Sequence, residues 1–353
     1  MTSRDIILTR LSNQQITSTS FTKPTEIVSW FGAMQAQEYA MVKWAIGLRL
    51  PGCSNDTIEE SFNKGEILRT HVLRPTWHFV SPADIRWMLA LSAPRVQAFN
   101  AYYYRQHELD DQLFKRCHKI LVKALQGGKH LTRTALQQEL ARAKIIADGP
   151  RLGSIMMHAE LEAIICSGPR TGKQFTYALL EERAPGAPML KRDEALATLI
   201  KKYFASRGPA MLQDFVWWSG LTMKDAKEGV DMLGNQLIHE TINGQAYLLV
   251  STAGQQSMNK STASFLMPDY DEYGIAYKDR SAIIGNYDAT SRYENPVYNR
   301  MIVLDGRIVG SWRPTITKNA VQVETSFFSP ISKTKQQSLQ RAIKKYEAFV
   351  LGD

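Results

Sequence analysis

The sequence predicts an α+β protein, mainly α. A pattern of three helices followed by two strands recurs over roughly its first 250 residues, and the rest turns to short strands. In the second copy, residues 112–125 place Leu113, Phe114, Cys117, Ile120, Leu121, Ala124 and Leu125 on one helical face, and Gly127-Gly128 stops the helix. Thr132 then caps a short helix ending near Ala143, and a third helix runs from about Arg151 to Ile165. The stretch 167–177, with Gly168, Pro169 and Gly172, reads as a turn flanked by strands, a wing.

The third copy opens with Leu196, Leu199, Ile200, Tyr203 and Phe204 on one face, broken by Gly208-Pro209. A short helix around 212–219 leads to Thr222-Met223-Lys224-Asp225, a capping box that starts the next helix. Strands 236–240 and 245–250 pair around Asn243-Gly244, a strong hairpin signal. The N-terminal copy is looser, with helices near 4–12 and 24–34, a further helix to about Leu48 and another over 57–64. Its strand-like stretch from Arg69 to Val80 contains Pro75, which confines it to an edge or a bulge. Ser81-Pro82-Ala83-Asp84 starts a linker helix with a cap, a first-position proline and an early acid.

Beyond residue 255 the strands are 264–267, 301–304, 307–312 and 320–327, the middle two joined by Asp305-Gly306, and a helix over 333–349 closes the chain. The predicted organisation is three tandem winged-helix (helix-turn-helix) units, 1–100, 101–188 and 189–252. A C-terminal β-rich, barrel-like domain, 253–353, follows them.

Lys+Arg 43 against Asp+Glu 34 gives a net charge of +9 and a pI near 9.3, which favours an acidic partner such as a phosphate backbone. Cys53, Cys117 and Cys166 are too few and too scattered for a disulfide framework or a zinc site. The seven histidines form no His-Glu-x-x-His pattern. There is no apolar signal core near the N-terminus and no segment able to span a bilayer, so a cytoplasmic, nucleoid-associated protein is expected, monomeric and without an obligate protein partner.

Within residues 32–50, Gln35 and Gln37 are separated by Ala36. On a helix they would point nearly opposite ways; on an extended segment they share a face. The pair predicts a short extended break between two helices, with both carboxamides aimed at one point. A carboxamide offers an acceptor and two donors but no useful proton, so it positions water or a ligand edge. Two solvated loop glutamines are the plain alternative, and the pair alone does not exclude it.

Further blocks accompany Gln35-Ala36-Gln37-Glu38, Trp44-Ala45 and Arg49-Leu50. They are Ile67-Leu68-Arg69-Thr70, Arg74-Pro75-Thr76-Trp77-His78-Phe79-Val80 with Asp84, and Leu266-Met267-Pro268-Asp269-Tyr270-Asp271-Glu272-Tyr273 with Asp279-Arg280 and Gly285. The last is Gly306-Arg307-Ile308-Val309-Gly310-Ser311-Trp312. In this order the chain resembles, over essentially its whole length, the AlkZ-type bacterial DNA glycosylases, tandem winged-helix proteins that excise alkylated or crosslinked bases. The resemblance implies that the Gln-apolar-Gln motif is the catalytic centre. A sister branch carries Gln-apolar-Asp there, and Gln37 places this chain in the Gln-Gln branch. It further implies no metal and no other cofactor, and as partner double-stranded DNA carrying alkylated or crosslinked bases.

The chemistry follows from what leaves. An N7-alkylated purine is already cationic, so its departure needs little proton donation and leaves oxocarbenium character on the sugar. Two carboxamides can hold a water near C1′ and aim their carbonyl dipoles at that charge. Excising a neutral base would call for a carboxylate or a proton donor. Gln35 and Gln37 are therefore the candidate catalytic residues of a monofunctional hydrolase, and Glu38 is expected to cap the following helix.

Candidate DNA contacts are Arg69, Arg74 and His78 on the strand stretch, Arg151 at a helix start, Arg170 and Lys173 in the wing, Lys224 in the third copy, and Arg313. Arg69 and Arg74 equally suit a plain strand surface, and His78 a structural histidine. Trp44 is expected in the core, Trp217-Trp218 in packing, and Tyr102-Tyr103-Tyr104 in a buried linker helix. Asp269, Asp271 and Glu272 read as structural acids. A non-enzymatic winged-helix DNA-binding protein, such as a transcription regulator or damage-recognition factor, would explain fold and charge but leave the glutamine motif without a purpose. A nucleotide or RNA hydrolase is weaker still, because no phosphate-loop motif is present.

Overall fold

A computed structural model describes residues 1–250, 263–284 and 298–352; Gly285 lies outside the described residues. The chain divides into two compact units, one formed by Met1–Glu59 with Ala197–Asp353, the other by Glu60–Leu196. No helix among the described residues is long and apolar enough to cross a membrane.

The first unit begins with α1 (Ser3–Asn13), started by a reciprocal capping box between Thr2 and Asp5. Helix α2 (Pro24–Phe31) has proline in its first turn and stops at Gly32, whose φ of 72° no β-branched residue would accept comfortably. That glycine ends the helix earlier than the sequence pattern suggests. The extended segment β1 (Ala33–Gln35) follows, then α3 (Tyr39–Arg49) and α4 (Asn55–Lys64).

The second unit opens with the hairpin β2 (Leu68–Val72) and β3 (Arg74–Val80). Its register shifts between His71 and Val72, so Pro75 falls where the ladder is already interrupted. The 25-residue α5 (Pro82–Gln106) starts from Ser81, whose hydroxyl accepts from the Asp84 amide. Then come α6 (Asp111–Leu125), β4 (Leu131–Thr132), α7 (Arg133–Arg142), α8 (Gly149–Leu161), β5 (Ile165–Ser167), β6 (Thr176–Leu179) and α9 (Leu180–Arg183). The expected stripe packs as read, with Phe114, Cys117, Leu121 and Leu125 buried against Leu136, Leu140 and Ile155. A three-stranded sheet in the order β4-β6-β5 completes the unit. Tyr104 is buried, whereas Tyr102 and Tyr103 are exposed, so the aromatic run is only partly the buried segment expected.

Helix α10 (Arg192–Arg207) returns the chain to the first unit, followed by α11 (Leu212–Ser219) and α12 (Met223–Leu233). Thr222 and Asp225 form the predicted capping box. Strands β7 (Leu237–Ile242) and β8 (Gln245–Val250) pair around Asn243 and Gly244, with φ of 50° and 76°, as a primed hairpin turn requires. The last elements are β9 (Ser264–Leu266), α13 (Glu272–Ile275), α14 (Ser281–Ile284), β10 (Met301–Leu304), β11 (Arg307–Ile316), β12 (Val321–Phe327) and α15 (Lys333–Leu351).

The expected barrel does not form. The four strands make an open sheet in the order β12-β11-β10-β9. Four strands, two of them only three and four residues long, cannot curl far enough to close. Helix α15 supplies the missing cover. Its Tyr346 meets Trp44 of α3 and Trp312 of β11 edge-on, at ring separations of 5.0 and 4.7 Å. Both indoles donate to sheet carbonyls, Trp44 to Leu266 at 2.7 Å and Trp312 to Met267 at 2.8 Å. Past Trp312 the β11–β12 hairpin leaves the core, and most of its residues are solvent-exposed.

Candidate active site

The glutamine motif lies on the extended break between α2 and α3. Burial alternates along it: Ala36 is fully buried, Gln35 is half-buried and Gln37 is exposed. Ala36 is anchored in the interior; β1 ends at Gln35, and Gln37 follows in an exposed bend.

A buried ion pair fixes the motif's backbone. The Gln35 amide donates to Glu272 Oε1 at 3.1 Å. Arg207, at the end of α10, donates through Nε and Nη2 to Glu272 Oε2 at 2.9 and 2.7 Å. The same guanidinium donates to the carbonyls of Phe31 at 2.9 Å and Ala33 at 2.8 Å. Trp218 Nε1 donates to Glu272 Oε2 at 3.0 Å, and its ring lies 4.2 Å from the guanidinium carbon. One arginine and one carboxylate thus hold three backbone groups on or beside the motif. A buried pair adds little net stability against an apolar alternative, because desolvating both charges offsets their attraction. It does specify position.

The neighbouring Asp271 holds the next helix. Arg49 of α3 meets its carboxylate with two bonds of 2.8 Å and donates to the Gln14 backbone and side chain as well. Asp269 pairs with Arg300 at 3.2 Å. Burial pushes the Asp269 carboxyl above its ordinary range, Arg300 opposes that shift, and the negative charge of Glu38 reinforces it. Glu38 occupies the N-cap position of α3, yet its side chain makes no capping bond, contrary to expectation. The reading of Asp271 and Glu272 as structural acids undervalued Glu272, which touches the motif directly. Arg207 was missed altogether. No local pattern marks it, since Glu272 and the carbonyls of Phe31 and Ala33 lie 65 to 176 positions away.

The remaining candidates fall into two groups. In the second unit, Arg69 is 8% exposed and its guanidinium lies 4.3 Å from the Trp77 ring and 4.6 Å from Phe175. His78 is fully buried, with Nδ1 2.9 Å from the Thr76 carbonyl oxygen. Arg74 and Arg151 are half-buried, Arg151 facing Glu108 at 3.7 Å. Arg170 bonds the Lys173 carbonyl, bracing the turn over 170–174, and Lys173 stands exposed in it. In the first unit Lys224 and Arg313 are exposed, Lys224 in the first turn of α12 and Arg313 where the β11–β12 hairpin leaves the core.

A mainly helical α+β chain with a braced pair of glutamines and basic exposed loops has the character of a nucleic-acid-acting protein. Residues 28–349 match the family described as DNA glycosylase AlkZ-like, and the chain belongs to that family. It is 24% identical over 328 residues to the interstrand DNA cross-link repair glycosylase of Streptomyces sahachiroi, covering 88% of this chain and 87% of that one. The solved structure of Streptomyces sahachiroi DNA glycosylase AlkZ has the same fold, with a TM-score of 0.81 at 18% identity over 100% of this chain and 97% of that one.

Proposed function

We propose that this protein is a monofunctional DNA glycosylase hydrolysing the N-glycosidic bond of cationic, N7-alkylpurine-type or crosslinked bases. Gln35 and Gln37 position the water and stabilise the oxocarbenium charge. The observation that carries this reading is the Arg207–Glu272 clamp, which holds the motif's backbone at Ala33 and Gln35. Carboxamides suit a leaving group that is cationic before the bond breaks, since nothing then has to be protonated. Membership of the AlkZ-like family and the name of the Streptomyces relative support crosslinked bases among the substrates.

In this reading the helix–helix–helix–hairpin stretches are three winged-helix units over 1–100, 101–188 and 189–252, with 253–353 as the C-terminal domain. The protein acts as a monomer on nucleoid DNA in the cytoplasm and requires no metal. Phosphates are met by Lys173, Lys224, Arg313, Arg170, Arg74 and Arg151, while the buried Arg69 and His78 shape the hairpin behind them.

The test is a single-turnover reaction on an end-labelled duplex carrying one N7-methylguanine, and on a crosslinked duplex, with alkaline cleavage of the abasic product. Wild type should release base on at least one substrate, with Gln35→Ala and Gln37→Ala slowed and DNA binding retained. No abasic sites on either substrate, with binding intact, would make the protein a binder.

A further inference from the structure

The second unit contains a cleft whose chemistry is independent of the glutamine motif. It lies among the β2–β3 hairpin, α5 and α8 and encloses about 360 Å³, at the lower end of the roughly 300–1,000 Å³ of small-molecule sites. Its lining is mainly apolar and includes the rings of Trp77, Phe99, Tyr103, Tyr104 and Tyr177. Phe99 and Tyr103 are 66% and 48% exposed, so two large rings stand at the opening.

The lining also includes one cation, Arg133, and a few polar groups. Pro150, Gly153 and Ser154 come from the start of α8, whose first turn carries no acidic side chain, although its N-cap residue is Asp148. Arg133 lies along that helix start, donating from Nη2 to the Gly149 carbonyl at 3.2 Å. A Cβ on Gly153 would sit 3.3 Å from the same nitrogen, so the absence of a side chain there lets the guanidinium lie close.

Two buried groups line the cleft with polar atoms to spare. His71, 4% exposed, is bonded through Nδ1 to Glu160, itself 1% exposed, which orients the ring and leaves Nε2 for another partner. The Tyr104 hydroxyl, in a residue only 9% exposed, lies beside Asn100 but completes no hydrogen bond of good geometry.

We propose that this cleft binds a nucleotide. Its base packs on Tyr103 and Phe99 with its polar edge towards His71 and Tyr104, and its phosphate meets Arg133 and the start of α8. Aromatic rings and a guanidinium in one cleft fit a flat ring that carries an anion, and fit neither a plain hydrocarbon nor a bare phosphate. The source is either a free nucleoside monophosphate or an unpaired nucleotide of a DNA strand.

Full-length protein is titrated calorimetrically with deoxyadenosine monophosphate, deoxyadenosine and a short oligodeoxyadenylate. Tyr103→Ala and Arg133→Gln, both surface changes, are compared with wild type after thermal melts establish folding, and Phe99→Ala stands in should Tyr103→Ala fail. Tyr103→Ala should weaken every probe that binds about tenfold. Arg133→Gln should weaken the phosphate-bearing probes similarly and leave deoxyadenosine unchanged. Binding of the monophosphate identifies a free-nucleotide site, and binding of the strand alone an unpaired-nucleotide site. The proposal is overturned if no probe binds, or if Tyr103→Ala and Phe99→Ala bind every probe as wild type does.

Discussion

In the proposed reaction Gln35 and Gln37 act through carboxamides that neither gain nor lose a proton near neutral pH, so their effect is confined to position and dipole. Replacing either with alanine is expected to lower single-turnover base release about 10²–10³-fold, the usual effect of removing one preorganised group, with DNA affinity kept. A parallel loss of binding would recast the residue as an affinity contact. Arg207→Met tests the clamp. It strands the Glu272 carboxylate in the interior, at a cost of about 3–5 kcal/mol measured by denaturant titration. Adding Glu272→Gln should recover much of that, because the second change removes the unpaired charge. If the double variant is no more stable than Arg207→Met, the pair is not the coupled unit its geometry indicates.

At the scale of elements, helix starts and turns carry their own tests. The Thr222 hydroxyl accepts from the Asp225 amide at 3.0 Å, and Thr222→Ala should cost about 1 kcal/mol without touching base release. Gly306 is more demanding, since its φ is +79° and an added Cβ would lie 2.0 Å from the Ile7 side chain. Gly306→Ala should therefore lower the melting temperature well beyond what an exposed turn glycine would. Between α6 and α8, His118 and His158 meet at 3.2 Å, both half-buried at the edge of the second unit's core, His158 stacked on Phe114. Burial, reinforced by the charge of its partner, holds the His118 imidazole down to about 4; Glu162 opposes this. His158 is lowered as well, by burial, with Glu162 and Asp111 opposing. The unfolded chain then takes up these protons before the folded one does. Their contribution is complete above about pH 6.5 and is lost as pH falls towards 4. Melting curves over that window should fall more steeply for wild type than for His118→Gln.

For the whole molecule the governing quantity is charge. A net +9 and exposed lysines and arginines on loops and helix starts make affinity for DNA a strong function of salt. Lys173→Gln and Lys224→Gln should each reduce the slope of log affinity against log salt by about one and weaken all duplexes alike, damaged or not. A change that depended on the lesion would place that lysine at the damaged base instead of on the backbone.

Much of this was legible in one dimension because it is local chemistry. Thr222 with Asp225, Ser81 with Asp84, Asn243-Gly244 and Asp305-Gly306 announce starts and turns within four residues, and each formed where read. The spacing of Gln35 and Gln37 predicted an extended break between two helices, and β1, ending at Gln35, lies between α2 and α3. The tertiary structure decided what depends on distant partners. Whether four strands close or stay open rests on what covers them, and α15 covers them. Arg207 and Glu272 belong to no periodic pattern, because a buried ion pair is defined by the water it has lost and the groups brought to it from far along the chain. The sequence by itself marked the glutamines proposed to carry the chemistry; only folding determined what holds their backbone in place.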